Sequence, residues 1–235
     1  MTRSLERVTG VVLAGGFGTR LQKVVKNKPK ALAEVSGKPF LAYLLEKYQD
    51  AGIRETVLCT GYLATQIEEA FGDHFGDMAL TYSKEQMPLG TAGALANALP
   101  FIGTDTALVA NGDCFFEADI TNMYMYHLGR GSDATILLTH VDDVARFGMV
   151  DVDAVGAVEV FREKGGTGPG WINAGVYLIE RHMIKTIPTG RSVSIEKETF
   201  PSWIGKGLCA WKGKGSFLDI GTAESYARAE AFVSN

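Results

Sequence analysis

The first half of the chain alternates in a way that few folds can accommodate. Apolar, β-rich runs at residues 8–14, 53–60, 78–83 and 106–110 are separated by stretches with helical spacing at 38–51, 62–71 and 91–99. In the first of these stretches Phe40, Leu41, Leu44, Leu45 and Tyr48 share one face, and Gly52 follows as a helix stop. Pro100 ends the third. Strands alternating with helices in this way predict a parallel, doubly wound α/β sheet of Rossmann-like type. Beyond about residue 132 the pattern turns mixed. Strands are predicted at 134–141, 171–179 and 208–220, a hairpin at 148–163 turning near Asp153–Gly156, and helices at 180–187 and 195–205. Thr222 is placed to cap a closing helix reaching about residue 232. No Pro/Ser linker divides the halves. The reading is one domain over residues 1–235, with a nucleotide-type lobe to about 131 and a mixed α/β lobe inserted from about 132.

Charge and cysteine usage exclude several function classes. The formal net charge is −4, which argues against nucleic acid as a partner. No apolar run approaches membrane-span length and the first seven residues are polar, so neither a membrane nor a secretory leader is expected. Cys59, Cys114 and Cys209 are odd in number and far apart, which fits reduced thiols and a cytoplasmic location. A homo-oligomer is compatible with all of this, but the sequence does not fix the assembly. Glycine is the compositional outlier, 28 of 235 residues. That is about 12%, against a usual ~7%.

The glycines concentrate where the first strand ends. Leu13-Ala14-Gly15-Gly16-Phe17-Gly18-Thr19-Arg20 can present successive backbone N–H groups to an anion. It is not a Walker A loop, which requires Gly-Lys-Ser/Thr. It is not a dinucleotide fingerprint either, because Leu21 stands where Gly or Ala is needed and the second strand ends in Cys59-Thr60 without a ribose-binding acid. A basic run follows, Arg20, Lys23, Lys26, Lys28 and Lys30. It reads either as a solvated charge run or as a triphosphate clamp, with Arg20 as a planar fork and Lys30 as a point charge.

The stretch from Leu13 to Leu32, with Gly-Gly-x-Gly-Thr-Arg and Pro29-Lys30, resembles the signature of the sugar-1-phosphate nucleotidylyltransferases. The resemblance continues, in order, through Leu89-Gly90-Thr91-Ala92-Gly93, Asn111-Gly112-Asp113, Phe147-Gly148-Met149-Val150 and Glu163-Lys164. Asn173-Ala174-Gly175-Val176-Tyr177, Ser194-Ile195-Glu196-Lys197-Glu198 and Phe217-Leu218-Asp219-Ile220-Gly221 complete it. It implies the nucleotidyltransferase fold, related to that of GT-A glycosyltransferases, and attack of a sugar-1-phosphate oxygen on the α-phosphorus of a nucleoside triphosphate. It further implies Mg²⁺ held by Asp113 and Asp219, Arg20 on the leaving pyrophosphate and Lys30 at the α-phosphate or the incoming phosphate. Lys164 would bind the sugar phosphate, Glu163, Asn173 and Glu196 the sugar hydroxyls, and Gly148 and Gly175 would let backbone approach the ring. Leu13, Ala14, Gly15, Gly16, Gly18, Thr19, Gly90, Thr91, Asn111 and Gly112 would surround the nucleotide. Taken singly, Asp113 and Asp219 read equally well as ordinary strand-end or capping acids.

Glu85 bears on the base. In this family the residue five before the position of Gly90 reads the base edge and is typically glutamine in uridylyl and thymidylyl enzymes. A carboxylate only accepts, which matches the N1–H and N2–H₂ donors of guanine, so GTP is the expected triphosphate. The alternative is that Glu85 is a solvated loop acid and Gln86 reads the base. Within the GTP branch the sequence is most similar to the D-glycero-α-D-manno-heptose 1-phosphate guanylyltransferases, sharing the departure at Leu21-Gln22-Lys23-Val24-Val25 from the usual Leu-x-Pro. Mannose-1-phosphate guanylyltransferases share the segments around Asn173 and Glu196. Two further classes stay open: a non-catalytic subunit that binds a nucleotide sugar, and a glycosyltransferase, for which Asp151-Val152-Asp153 is the only Asp-x-Asp near a strand.

Overall fold

A computed structural model describes residues 5–16, 18, 21, 24, 25, 27–162 and 166–233. The expected alternation is there. In chain order the first half contains β1 (Val8–Leu13), β2 (Glu34–Val35), β3 (Lys38–Pro39), α1 (Phe40–Asp50), β4 (Glu55–Thr60), α2 (Ala64–Phe71), β5 (His74–Phe75), β6 (Met78–Lys84), α3 (Gly90–Ala98) and β7 (Thr106–Asn111). The remainder contains β8 (Cys114–Phe116), α4 (Ile120–Arg130), β9 (Ala134–Val141), β10 (Met149–Val152), β11 (Val158–Arg162), β12 (Gly170–Glu180), α5 (Arg181–Ile184), α6 (Phe200–Trp203), β13 (Leu208–Lys212), β14 (Phe217–Asp219), α7 (Ala223–Ala227) and α8 (Ala229–Val233).

One sheet runs β11-β10-β12-β7-β1-β4-β6-β5, with β9 beside β12 and β13 beside β9. Its centre, β7-β1-β4-β6, is parallel, while β12 joins β7 antiparallel through Val176–Glu180. The mixed second half therefore extends the first-half sheet and shares its core. Strand residues alternate between two cores: Val11, Val109 and Tyr177 enter one with Leu95 and Phe200, whereas Val12, Leu108 and Leu178 enter the other with Leu41 and Leu44. Burial on both faces is why β1, β4 and β7 are mainly apolar, with the small polar Thr9, Thr56, Thr60 and Thr106 buried among them. No helix among the described residues is long and apolar enough to cross a membrane.

Several elements differ from the sequence expectation, each for a local reason. The 208–220 stretch is two strands in different sheets, broken where Gly215 takes φ +115°. The 195–205 helix begins as a π-turn over Ile195–Thr199, in which the Phe200 N–H reaches back to the Ile195 carbonyl. Pro201, which has no N–H to give, follows at once. The closing helix is two short ones, started by a capping box between Thr222 and Ser225. Elements without a counterpart in the sequence reading include the two-residue strands β2 and β5. They also include β8 and α4, the latter capped by the Asp119 side chain on the Asn122 N–H (3.1 Å) and ended by Gly131 at φ +58°.

Candidate active site

In a doubly wound sheet the loops at the carboxyl ends of the parallel strands meet where the strand order reverses. Here the chain leaves β1 towards β4 on one side and β7 lies on the other. The loops after β1, β4, β6 and β7 enclose a crevice of about 630 Å³. Two backbone bonds tie its floor together, Ala14 N–H to the Cys59 carbonyl (2.9 Å) and Gly112 N–H to the Leu13 carbonyl (3.0 Å). Gly16 is the open point of the loop, since a Cβ there would meet nothing within 4 Å among the described residues. Gly15 is closed, because a Cβ there would lie 2.7 Å from Glu85 Oε1.

One end of the crevice is built by a short two-stranded ladder. β8 pairs antiparallel with β14, setting Cys114 opposite Asp219, and the Ile220 N–H bonds the Asp113 carbonyl (3.0 Å). This brings the two aspartates together. Lys30, on a single 3₁₀ turn after Pro29, reaches between them, hydrogen-bonded to Asp113 Oδ2 and 3.9 Å from Asp219 Oδ1. Its side chain is 12% exposed. The Asp219 carboxylate also accepts the Gly221 N–H. Burial pushes the Cys114 thiol up, and the neighbouring Asp113 and Asp219 add to this, so it stays protonated beside the acids. Two carboxylates without thiolate or imidazole form a hard donor pair, which suits Mg²⁺. The buried ammonium shows that the same pocket already favours positive charge.

At the other end Glu85 follows β6. Its Oε2 accepts the Leu89 N–H (2.9 Å), and burial pushes its carboxyl up against the opposing effect of that bond. Gln86, Met87 and Pro88 continue the wall. Among the described residues the buried Asn111 carboxamide oxygen has no hydrogen-bond partner, in a residue that lines the crevice. Gly175 opposite it has φ +72°, and a Cβ there would come within 2.6 Å of Asn111 Nδ2.

Leu13, Ala14, Gly15, Gly16, Gly18, Glu85, Gly90, Thr91, Asn111, Gly112, Lys30 and Asp113 all line the crevice. Gly148, Asn173, Gly175, Glu196 and Asp219 do not, although Asp219 is held beside Asp113. Asn173 Nδ2 donates to Glu196 Oε1 (3.0 Å) and to Tyr177 Oη (3.0 Å), so these form a separate cluster, and Gly148 lies just before β10. Thr19, Arg20, Glu163 and Lys164 lie outside the described residues. The sequence reading missed Gly61, Tyr62 and Ser192, which also line the crevice. Gly61 follows a buried strand end just as Gly15 and Gly112 do, a signal that could have found it. Ser192 carries no local signal.

A nucleotidyl transferase family model matches residues 9–235. A mannose-1-phosphate guanylyltransferase of Mycobacterium tuberculosis is 38% identical over 96% of this chain, which spans 64% of that relative. A D-glycero-α-D-manno-heptose 1-phosphate guanylyltransferase of Aneurinibacillus thermoaerophilus is 32% identical, over 94% of this chain and 96% of its own length. Among solved structures, HddC from Yersinia pseudotuberculosis complexed with GMP-PN superposes with a TM-score of 0.85 at 35% identity, covering 96% of this chain and 99% of that one.

Proposed function

The chain belongs to the nucleotidyl transferase family, and from that footing we propose that it transfers a guanylyl group from GTP to D-glycero-α-D-manno-heptose 1-phosphate, giving GDP-heptose and pyrophosphate. The observation that carries guanine is Glu85, a half-buried carboxylate on the crevice wall with one oxygen fixed by Leu89. A group that only accepts complements the two donors on the guanine edge. The heptose acceptor is supported by the relative of that name, which aligns over nearly its whole length. Mannose 1-phosphate is the second reading, favoured by the higher identity of the mannose relative. The two acceptors share the manno ring and differ beyond C5.

In the reaction an oxygen of the sugar phosphate forms a bond to the α-phosphorus while the bond to the bridging oxygen breaks, and pyrophosphate leaves with that electron pair. The nucleophile is already an anion, so no base is required. The difficulty is bringing anions together, which positioned positive charge and N–H groups relieve. In this reading the loop at Gly15, Gly16 and Gly18 cradles the β- and γ-phosphates, and Lys30 turns from the aspartates to the α-phosphate. Arg20 and Lys164 hold the leaving pyrophosphate and the acceptor phosphate. Asp113 and Asp219 would hold Mg²⁺, which supplies charge neutralisation on the phosphates. Asn173, Glu196 and Glu163 hold sugar hydroxyls, with Gly148 and Gly175 beside the ring.

The test is pyrophosphate release across GTP, ATP, CTP, UTP and dTTP, each with heptose 1-phosphate and mannose 1-phosphate. GTP with heptose 1-phosphate is expected to be fastest. A dTTP or UTP preference refutes the Glu85 argument, and a mannose preference establishes the second reading. Release that does not need a sugar 1-phosphate refutes the transfer itself.

A further inference from the structure

The start of α3 is where a helix normally leaves its first N–H groups free for an anion. Here two of them, on Ala92 and Gly93, are taken. The Val193 carbonyl accepts from Ala92 N–H (3.0 Å) and Gly93 N–H (3.4 Å), and the Val193 N–H returns a bond to the Leu89 carbonyl (2.7 Å). Gly90, at φ +69°, permits the approach, since a Cβ there would lie 2.6 Å from the Val193 carbonyl oxygen. Thr91 is bound into the same junction, because its hydroxyl accepts the Ile195 N–H at 2.8 Å.

Ile195 is 1% exposed and opens the π-turn that carries Glu196. Such turns inside helical segments are frequent at functional sites. Glu196 Oε1 accepts from Asn173, whose carboxamide oxygen in turn accepts the Gly175 N–H (2.8 Å) and whose Nδ2 also reaches the buried Tyr177 hydroxyl. Two runs of hydrogen bonds thus hold the segment that leads into the pair Glu196–Asn173, one from Glu85 through Leu89 to Val193 and one from Thr91 to Ile195, the residue before Glu196.

We propose that Thr91 is a positioning residue for the sugar half of the site: it lies on the nucleotide crevice, yet its hydroxyl fixes the segment that aims Glu196 and Asn173 at the acceptor. This rests on the proposed transfer to a sugar 1-phosphate, and it changes the role that resemblance gave Thr91. Removing the hydroxyl leaves the buried Ile195 N–H without a partner, so the π-turn shifts and Glu196 with it, while Glu85 keeps its own bond to Leu89.

The test is steady-state kinetics of wild type, Thr91→Val and Thr91→Ser with GTP and heptose or mannose 1-phosphate. Thr91→Val is expected to raise KM for the sugar 1-phosphate about tenfold, the loss of one well-placed bond, with KM for GTP within about twofold of wild type by the same reasoning. Thr91→Ser retains the acceptor oxygen and is expected to restore the sugar KM. If Thr91→Val does not fold, Thr91→Ala read against Thr91→Ser makes the same comparison. A raised KM for GTP with an unchanged sugar KM, or no change in either, overturns the inference. Wild-type protein that releases no pyrophosphate with any sugar 1-phosphate overturns the proposed function, and this inference with it.

Discussion

Glu85→Gln tests the base reading most sharply, because the structure fixes one half of the side chain. Oε2 receives the Leu89 N–H at 2.9 Å. A glutamine has one acceptor oxygen where glutamate has two. If that oxygen keeps Leu89, the amide NH₂ meets guanine donor to donor. If it turns to guanine, the NH₂ meets the Leu89 N–H. Either way one donor is left unsatisfied at about 1–3 kcal/mol, or roughly 5- to 150-fold in kcat/KM for GTP. The same NH₂ suits the carbonyl of uracil or thymine, so UTP and dTTP gain relative to GTP.

The pH dependence adds an independent reading. Burial raises the Glu85 carboxyl above its ordinary value of 4.5. Guanine binding needs the ionised form, so KM for GTP climbs as pH falls, starting at a higher pH than an exposed glutamate would give. Glu85→Gln removes that limb of the profile. A carboxyl raised on folding disfavours the folded state once pH exceeds its unfolded value. The neutral amide should therefore leave Tm at pH 7 unchanged or higher. The assay is kcat/KM for GTP, UTP and dTTP from pH 5 to 8, with melting curves. Unchanged GTP selectivity in a folded variant refutes the assignment and moves base reading to Gln86.

Lys30→Ala and Asp113→Asn are each expected to lower kcat by about 10²- to 10³-fold while circular dichroism stays that of wild type; near-wild-type turnover in either refutes the catalytic assignment. Chelation by EDTA should stop pyrophosphate release and added Mg²⁺ restore it, with Asp219→Asn raising the Mg²⁺ concentration needed for half the rate; activity that survives chelation removes the metal from the proposal. Gly90→Ala should cost about 2 kcal/mol or more, from a left-handed φ and a clash with backbone, read as a lower urea midpoint. Gly16→Ala, facing open space, should leave that midpoint within the small range of surface changes and instead raise KM for GTP several-fold.

The parallel strands were legible because burial on both faces makes their centres runs of adjacent apolar residues, as Val11 and Val12 enter opposite cores. The loops at their ends were legible for the same reason, since a glycine after a buried strand marks where the crevice forms. α4 was missed although both its ends are signalled by Asp119 and Gly131. Its inward face runs Ile120, Met123, His127, and a buried histidine, bonded to Thr135 (2.8 Å) and Glu180 (3.0 Å), breaks the apolar period. β8 is three residues long and exists because β14 pairs with it; no local pattern encodes such a partner. The role of Thr91 was hidden in the same way. Its partner lies 104 positions further along the chain.

The antiparallel seam between β7 and β12 also has a consequence for synthesis of the chain. β7 binds β1 on one side, and its other edge stays open until residues 176–180 arrive. At 5–20 residues per second the interval from Asn111 to Val176 is roughly 3 to 13 s. During that time a largely apolar strand edge, Ala107–Ala110 between Thr106 and Asn111, is exposed on the nascent chain, the kind of surface that pairs with other copies. A nascent chain stalled or cut anywhere between α4 and β12 is thus a seed for aggregation, and a chaperone that shields strand edges would be needed most in that window.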